Sequence, residues 1–237
     1  MAGMPERSRR QTSSLSKSGP RPPIPEPLPH PTFHSSVNFL YDIGRVLLDF
    51  DFESSIATIL PPETPDREER LFRMLDRKDE FETGKIDTNE YITWALEVLG
   101  STATHDEFTH AWRHIFTPNE PMWARVRQLA ADGHKLILFS NINGIHAPWI
   151  FEEYPEFSLF QGAVLSFQTG FIKPEPGIYQ YAITHHGLVP EDTIYIDDLP
   201  QNCATGRELG FRTWQYDLHD HAAFEAWLAE QLATAPV

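Results

Sequence analysis

The sequence predicts an α/β protein: a Rossmann-like parallel sheet with helices on both faces and an inserted helical cap subdomain. Three observations predict it. Short apolar runs rich in β-formers recur at 37–41, 135–139, 163–167, 193–196 and 211–216. The last four are separated by helix-like segments, and strands that alternate with helices form a parallel sheet covered on both faces. Between the first and second runs lies a long insertion, 53–117, that reads as helical throughout.

Taken in order, residues 1–36 form a segment apart. They hold eight of the 20 prolines, many serines and almost no apolar periodicity. The stretch GPRPPIPEPLPHP cannot donate the backbone bonds of a helix or sheet, so a disordered, polyproline-like leader is expected. Arg7, Arg9, Arg10 and Lys17 make its start basic, but no apolar core of a signal peptide is present. The α/β core is expected over 37–52 and 118–237. Within the insertion, Asp87 and Glu90 open a helix whose apolar face is Tyr91, Trp94, Ala95 and Val98, with Gly100 as its stop. Thr104 and Glu107 form a second capping pair, followed by Phe108, Ala111, Trp112, Ile115 and Phe116 on one face.

Bulk properties narrow the function. The 237 residues carry a formal net charge of −15, which disfavours nucleic acid and anionic membranes as partners. A local cation can still dominate one pocket and hold an anionic substrate. Cys203 is the single cysteine, so no intrachain disulfide exists and a reducing, cytoplasmic setting is expected. No apolar run approaches the ~20 residues that a membrane span needs.

Polar residues end the strands where open parallel sheets place their sites. Asp42 ends the first run, Ser140 and Asn141 end the second, Lys173 follows the third, and Asp197 and Asp198 end the fourth. Each alone has a bland reading as a cap or turn residue. Together they suit phosphoryl transfer. Asp42 would attack phosphorus and form an aspartyl-phosphate. Asp42 and Asp198 would hold Mg²⁺, a hard cation that prefers oxygen ligands. Ser140 and the amides after it would hold phosphate oxygens, and Lys173 would neutralise charge that grows in the transition state.

These residues resemble the four motifs of the haloacid dehalogenase (HAD) superfamily of hydrolases: DIGRV, SN, KPEPGIY and IDDLPQN. The resemblance covers about residues 37–230, and the insertion sits where family members carry a helical cap. GKIDTNEY (84–91) also resembles a stretch common in such caps. Within the superfamily the chain is similar to the bacterial α-D-glucose-1-phosphate phosphatase group. It shares a glycine two residues after the nucleophile, the run Ser140 to His146, and EEYPE at 152–156. The resemblance implies a phosphatase acting on a small phosphorylated metabolite. It also implies a metal site of Asp42, Asp198, Asp197 and the Gly44 carbonyl, with Asn202 behind it.

The same resemblance raises a difficulty at Gly44. Most phosphatases of the superfamily carry there a second aspartate that protonates the leaving oxygen and then activates water. Such help contributes ~10²–10⁴-fold. Three explanations compete: a slower phosphatase using another proton source, a dehalogenase whose halide needs no proton, or a binding protein that has lost catalysis. Metal-independent dehalogenases of the superfamily lack the paired acid that Asp197 and Asp198 provide. Arg45 either contacts phosphate or sugar, or points outward to Asp49 or Asp51. His146 either faces the substrate or sits on a helix surface. His110 and His114 have zinc-like spacing but no third ligand. His185 and His186 read as a helix C-terminus.

Overall fold

The computed structural model describes residues 36–61 and 63–234; apart from Ser36, the expected leader lies outside them. Among the described residues the strands are β1 (Asn38–Tyr41), β2 (Leu48–Phe50), β3 (Phe116–Pro118), β4 (Lys135–Ser140), β5 (Gly162–Leu165), β6 (Thr193–Asp197) and β7 (Arg212–Gln215). Five of them make one parallel sheet in the order β5-β4-β1-β6-β7. The chain leaves β1, builds outward on one side through β4 and β5, then returns to build outward on the other through β6 and β7. The reversal beside β1 opens a crevice at its carboxyl end, the usual ligand position in such sheets.

The apolar runs lack a polar face because both faces of the sheet are buried. Phe39, Tyr41, Leu136, Leu138, Ile194 and Ile196 point to one side. There they meet α6 (Glu120–Ala131), α7 (His146–Glu153) and α11 (His221–Ala233). Leu40, Ile137, Phe139 and Tyr195 point to the other, against α9 (Pro176–His186). On this second face α10 (Pro200–Glu208) also approaches the sheet. A Cβ on its Gly206 would stand 2.6 Å from the Tyr195 ring, so glycine is what lets this helix come so near.

The cap holds α1 (Phe52–Ile56), α2 (Arg67–Arg73), α3 (Lys78–Glu82), α4 (Thr88–Leu99) and α5 (His105–Arg113) around a second apolar cluster, which Ile145 of the core joins. Phe81 stacks on Tyr91 at 4.2 Å near its centre. Both helix starts behave as their sequences dictate. The Asp87 side chain accepts from the Glu90 amide, and Thr104 and Glu107 complete a capping box. Gly100 ends α4 in the left-handed region, at φ 65°.

Four expectations need correction. The buried face of α4 is Tyr91, Ile92, Ala95, Leu96 and Leu99, because its neighbours cover a wider arc than Trp94 and Val98 mark. Helix α5 stops at Arg113, and Phe116 belongs to a strand. The insertion is therefore not helical throughout. It is entered and left through an antiparallel ribbon of β2 and β3, with Phe50 opposite Phe116. Three-residue strands are too short to show a period. The run at 163–167 also ends early, because α8 (Ser166–Thr169) begins within it. Ser166 turns away to exchange hydrogen bonds with the backbone of Ile142.

Candidate active site

β1 carries Asp42 to the carboxyl edge of the sheet, where the Asp42 amide still donates to Ile196 at 3.0 Å. The following loop is tight: the amides of Leu47 and Leu48 both donate to the Ile43 carbonyl. This leaves the Asp42 carboxylate buried at the base of a cavity of about 280 Å³. Ser140, Asn141, Lys173, Asp198 and Asn202 line the same cavity.

Lys173 is the hub. Its ammonium donates to the Phe139 carbonyl at 2.8 Å, to Asp197 at 2.6 Å and to Asp42 at 2.9 Å, which uses all three N–H bonds. The Asn141 side chain fixes its backbone from both sides, accepting from the Lys173 amide at 2.8 Å and donating to its carbonyl at 2.9 Å. Burial alone would lower the Lys173 pKa, but Asp197 and Asp42 outweigh it and hold the ammonium charged. For Asp42, burial raises the pKa. Lys173 and Ser140 oppose that rise, while Asp197 adds to it.

The neighbouring acids differ in what they have left to offer. Asp197 is fully buried, and both its oxygens are taken. One accepts from Lys173 and from the Tyr195 hydroxyl, each at 2.6 Å. The other accepts from the Leu199 amide at 3.0 Å and Asn202 at 2.9 Å. Asp198 stays partly exposed. Burial and the charges of Asp42 and Asp197 push its pKa up to about 7.

Carboxylate oxygens of Asp42, Asp197 and Asp198 all lie within 4.8 Å of one another, against the one ammonium of Lys173. Asn202 adds a buried amide oxygen with no hydrogen-bond partner. An excess of negative charge, all-oxygen donors and an orphaned acceptor fit a hard divalent cation.

The haloacid dehalogenase-like hydrolase family model matches residues 51–210. The chain belongs to this family. It is 27% identical over 190 residues to a D-ribitol-5-phosphate phosphatase of Bacteroides thetaiotaomicron, covering 75% of this chain and 90% of the relative. Among solved structures it is similar to a HAD-like hydrolase of Porphyromonas gingivalis, at 27% identity and TM-score 0.66, covering 81% and 98% of the two chains. It is also similar to a HAD family enzyme of Bacteroides thetaiotaomicron solved with magnesium and inorganic phosphate. That match has 25% identity and TM-score 0.67, and covers 78% and 96%.

The four family motifs therefore converge on one cavity in this HAD-like chain. Three residues do something other than a motif alone suggests. Asn141 spends its side chain on Lys173, so what it can offer a phosphate is backbone. Arg45 pairs with Asp49 at 2.6 Å, lies over the Phe50 ring and is half-exposed at the cavity rim. His146 is not on a helix surface but buried at the start of α7, where it lines the cavity. Its Nε2–H donates to the Trp112 carbonyl of the cap at 2.8 Å, and its Nδ1 accepts from Asn143 at 3.2 Å. Burial drives its pKa down to about 3, so the ring is neutral and latches core to cap.

His110 and His114 stack side by side, and among the described residues no three-ligand cluster includes them. Sequence reasoning missed Lys78 and Glu82, which the cap contributes to the cavity. In LDRKDEFETGK they look like any solvated helix face.

Proposed function

We propose that this chain is a Mg²⁺-dependent phosphomonoesterase acting on a small phosphorylated metabolite, of the sugar- or polyol-phosphate class, through an aspartyl-phosphate on Asp42. One observation carries the reading: the Asp42 carboxylate is held by Lys173 at the base of a cavity beside Asp198. In this reading 53–117 acts as a cap over a core of 37–52 and 118–237. Asp42, Asp198 and the Gly44 carbonyl would hold Mg²⁺, and the ion would supply charge screening between nucleophile and phosphate. Asp197, with every lone pair engaged, positions Lys173 and Asn202 instead of competing for the cation.

Asp42 attacks phosphorus as its carboxylate, the form that the adjacent Lys173 ammonium favours against burial. Ser140 and the backbone after it receive the phosphate oxygens, while Lys173 meets the charge that grows on them. The name of the Bacteroides relative supports a polyol or sugar phosphate. The paired acids at the end of β6 argue against metal-independent dehalogenation. Among the described residues no helix is long and apolar enough to cross a membrane. The lone buried Cys203 suits a reducing, cytoplasmic setting.

The experiment is a phosphate-release screen over polyol, sugar and nucleotide monophosphates, with Mg²⁺ and with EDTA. Release that needs Mg²⁺ and vanishes in Asp42→Asn is expected. Chelator-resistant activity on 2-haloacids would replace the reading with dehalogenation.

A further inference from the structure

The carboxyl group that Gly44 lacks has a counterpart on the cap. We propose that Glu82 is the acid–base residue of this site, giving a proton to the leaving oxygen and then taking one from water. The proposal rests on the phosphatase reading above.

Among the described residues, Lys78 and Glu82 are the charged side chains that 53–117 contributes to the cavity wall. Their neighbours on that wall are apolar or aromatic, among them Leu75, Phe81 and Trp112. Glu82 ends α3 and is 6% exposed, a costly place for a carboxylate that does no more than cover surface. Among the described residues its carboxylate accepts a hydrogen bond from Lys78, at 2.6 Å and one helical turn earlier. Lys78 is itself 46% exposed, so this ammonium can swing to solvent and release the carboxyl group.

The backbone at Glu82 is pressed against the core. Gly84 follows at φ 69°, and a Cβ there would stand 2.6 Å from the Phe167 carbonyl of α8. No other residue fits so close a contact in that conformation. Glu82 is thus seated on the side of the cap that meets the core.

Its proton affinity fits the role. Burial raises the pKa above the usual carboxylate range. Lys78 opposes the rise without cancelling it, and the charges of Asp79 and Asp42 add to it.

In the first half-reaction an Asp42 oxygen bonds to phosphorus. The bond from phosphorus to the ester oxygen breaks, its electron pair stays on that oxygen, and the Glu82 proton follows. In the second, the Glu82 carboxylate takes a proton from water as the water oxygen bonds to phosphorus. The bond to Asp42 breaks, its electrons return to the Asp42 carboxylate, and Glu82 ends protonated as it began.

The test compares wild type with Glu82→Gln, in Mg²⁺, on the alkyl phosphate that the wild type hydrolyses fastest and on p-nitrophenyl phosphate. For the alkyl ester, kcat should fall at least ~10²-fold, the low end of what acid–base help contributes. The aryl ester needs no proton to depart. It should give a rapid burst of one equivalent of nitrophenolate and then slow turnover, because water activation is lost. An equal fall on both esters without a burst, or no fall on either, overturns the proposal. Should Glu82→Gln fail to fold, wild-type kcat/KM across leaving groups from nitrophenol to a simple alcohol decides. A shallow dependence supports the acid, and a steep one overturns it. A wild type that hydrolyses no phosphoester overturns the phosphatase reading as well, whereas an active wild type with an unimpaired Glu82→Gln overturns this proposal alone.

Discussion

The floor and the roof of the cavity are built on different principles. On the floor, charges stand against charges, and nearly every polar atom of Lys173, Asp197 and Asn141 is engaged by a named partner. Rearranging one group there leaves another buried and unpaired. The roof is aromatic and aliphatic, with one ion pair set into it. Apolar contacts are non-directional, so a roof residue can change shape without orphaning a neighbour. The floor is thus suited to fix one chemistry, and the roof to select what enters.

The sharpest way to break this contrast is Lys173→Met. It should abolish turnover and cost about 3–5 kcal/mol of stability, because Asp197 is left buried without its cation. Urea unfolding reads the second effect. A loss under 1 kcal/mol would show that the floor is not held by its charges. Asp198→Asn comes next. It should remove Mg²⁺ binding in calorimetry and lower activity by at least ~10²-fold, with little change in melting temperature, since Asp198 is only partly buried.

His146 joins the two regions, and its effect appears in acid. The unfolded chain takes a proton near pH 6.5, whereas the folded ring refuses it until about 3. The native state binds fewer protons in that window, so stability falls as pH drops, by up to ~1.4 kcal/mol per pH unit. His146→Gln should flatten this slope in urea unfolding between pH 6 and pH 4. An unchanged slope would mean that the ring does protonate in place.

On the roof, Phe52→Leu should move KM by about 10-fold or less, as one altered apolar contact does, and leave kcat nearly unchanged. A large fall in kcat would place chemistry on the roof beyond Glu82. The smallest effect is expected of Gly44→Asp in the wild type. The new Cβ lies 3.2 Å from the Phe50 ring, which must yield slightly, and an acid is already supplied by Glu82 in the proposed mechanism. In the Glu82→Gln background the same change should restore at least ~10-fold of the lost alkyl-ester activity, within the range of general acid catalysis.

The same contrast explains what the sequence discloses. Asp42, Ser140, Asp197 and Asp198 are legible because each lies at the end of an apolar run that must be a buried strand, and strand ends gather in one crevice; Lys173 is legible from the Lys-Pro loop that follows the next run. The helix starts at Asp87 and Thr104 are legible because capping is local. Glu82 is not. Its burial depends on how α3 meets α8, a contact between segments far apart in the chain, and no period within 75–85 records it. The Asn141 clamp on Lys173 and the latch from His146 to Trp112 are hidden for the same reason. The ribbon of β2 and β3 escapes because six residues of strand carry too little pattern.

That ribbon has a consequence for how such a molecule diversifies. The Asp51 amide donates to the Ile115 carbonyl at 2.9 Å, so the way into the insertion and the way out lie side by side. A loop whose ends already touch can be lengthened at small entropic cost, ~0.6 kcal/mol for each doubling of its length. The insertion can therefore change in length where its chain ends return to the same two rungs, provided that the contacts it makes with the core, such as the one from Trp112 to His146, are kept or replaced.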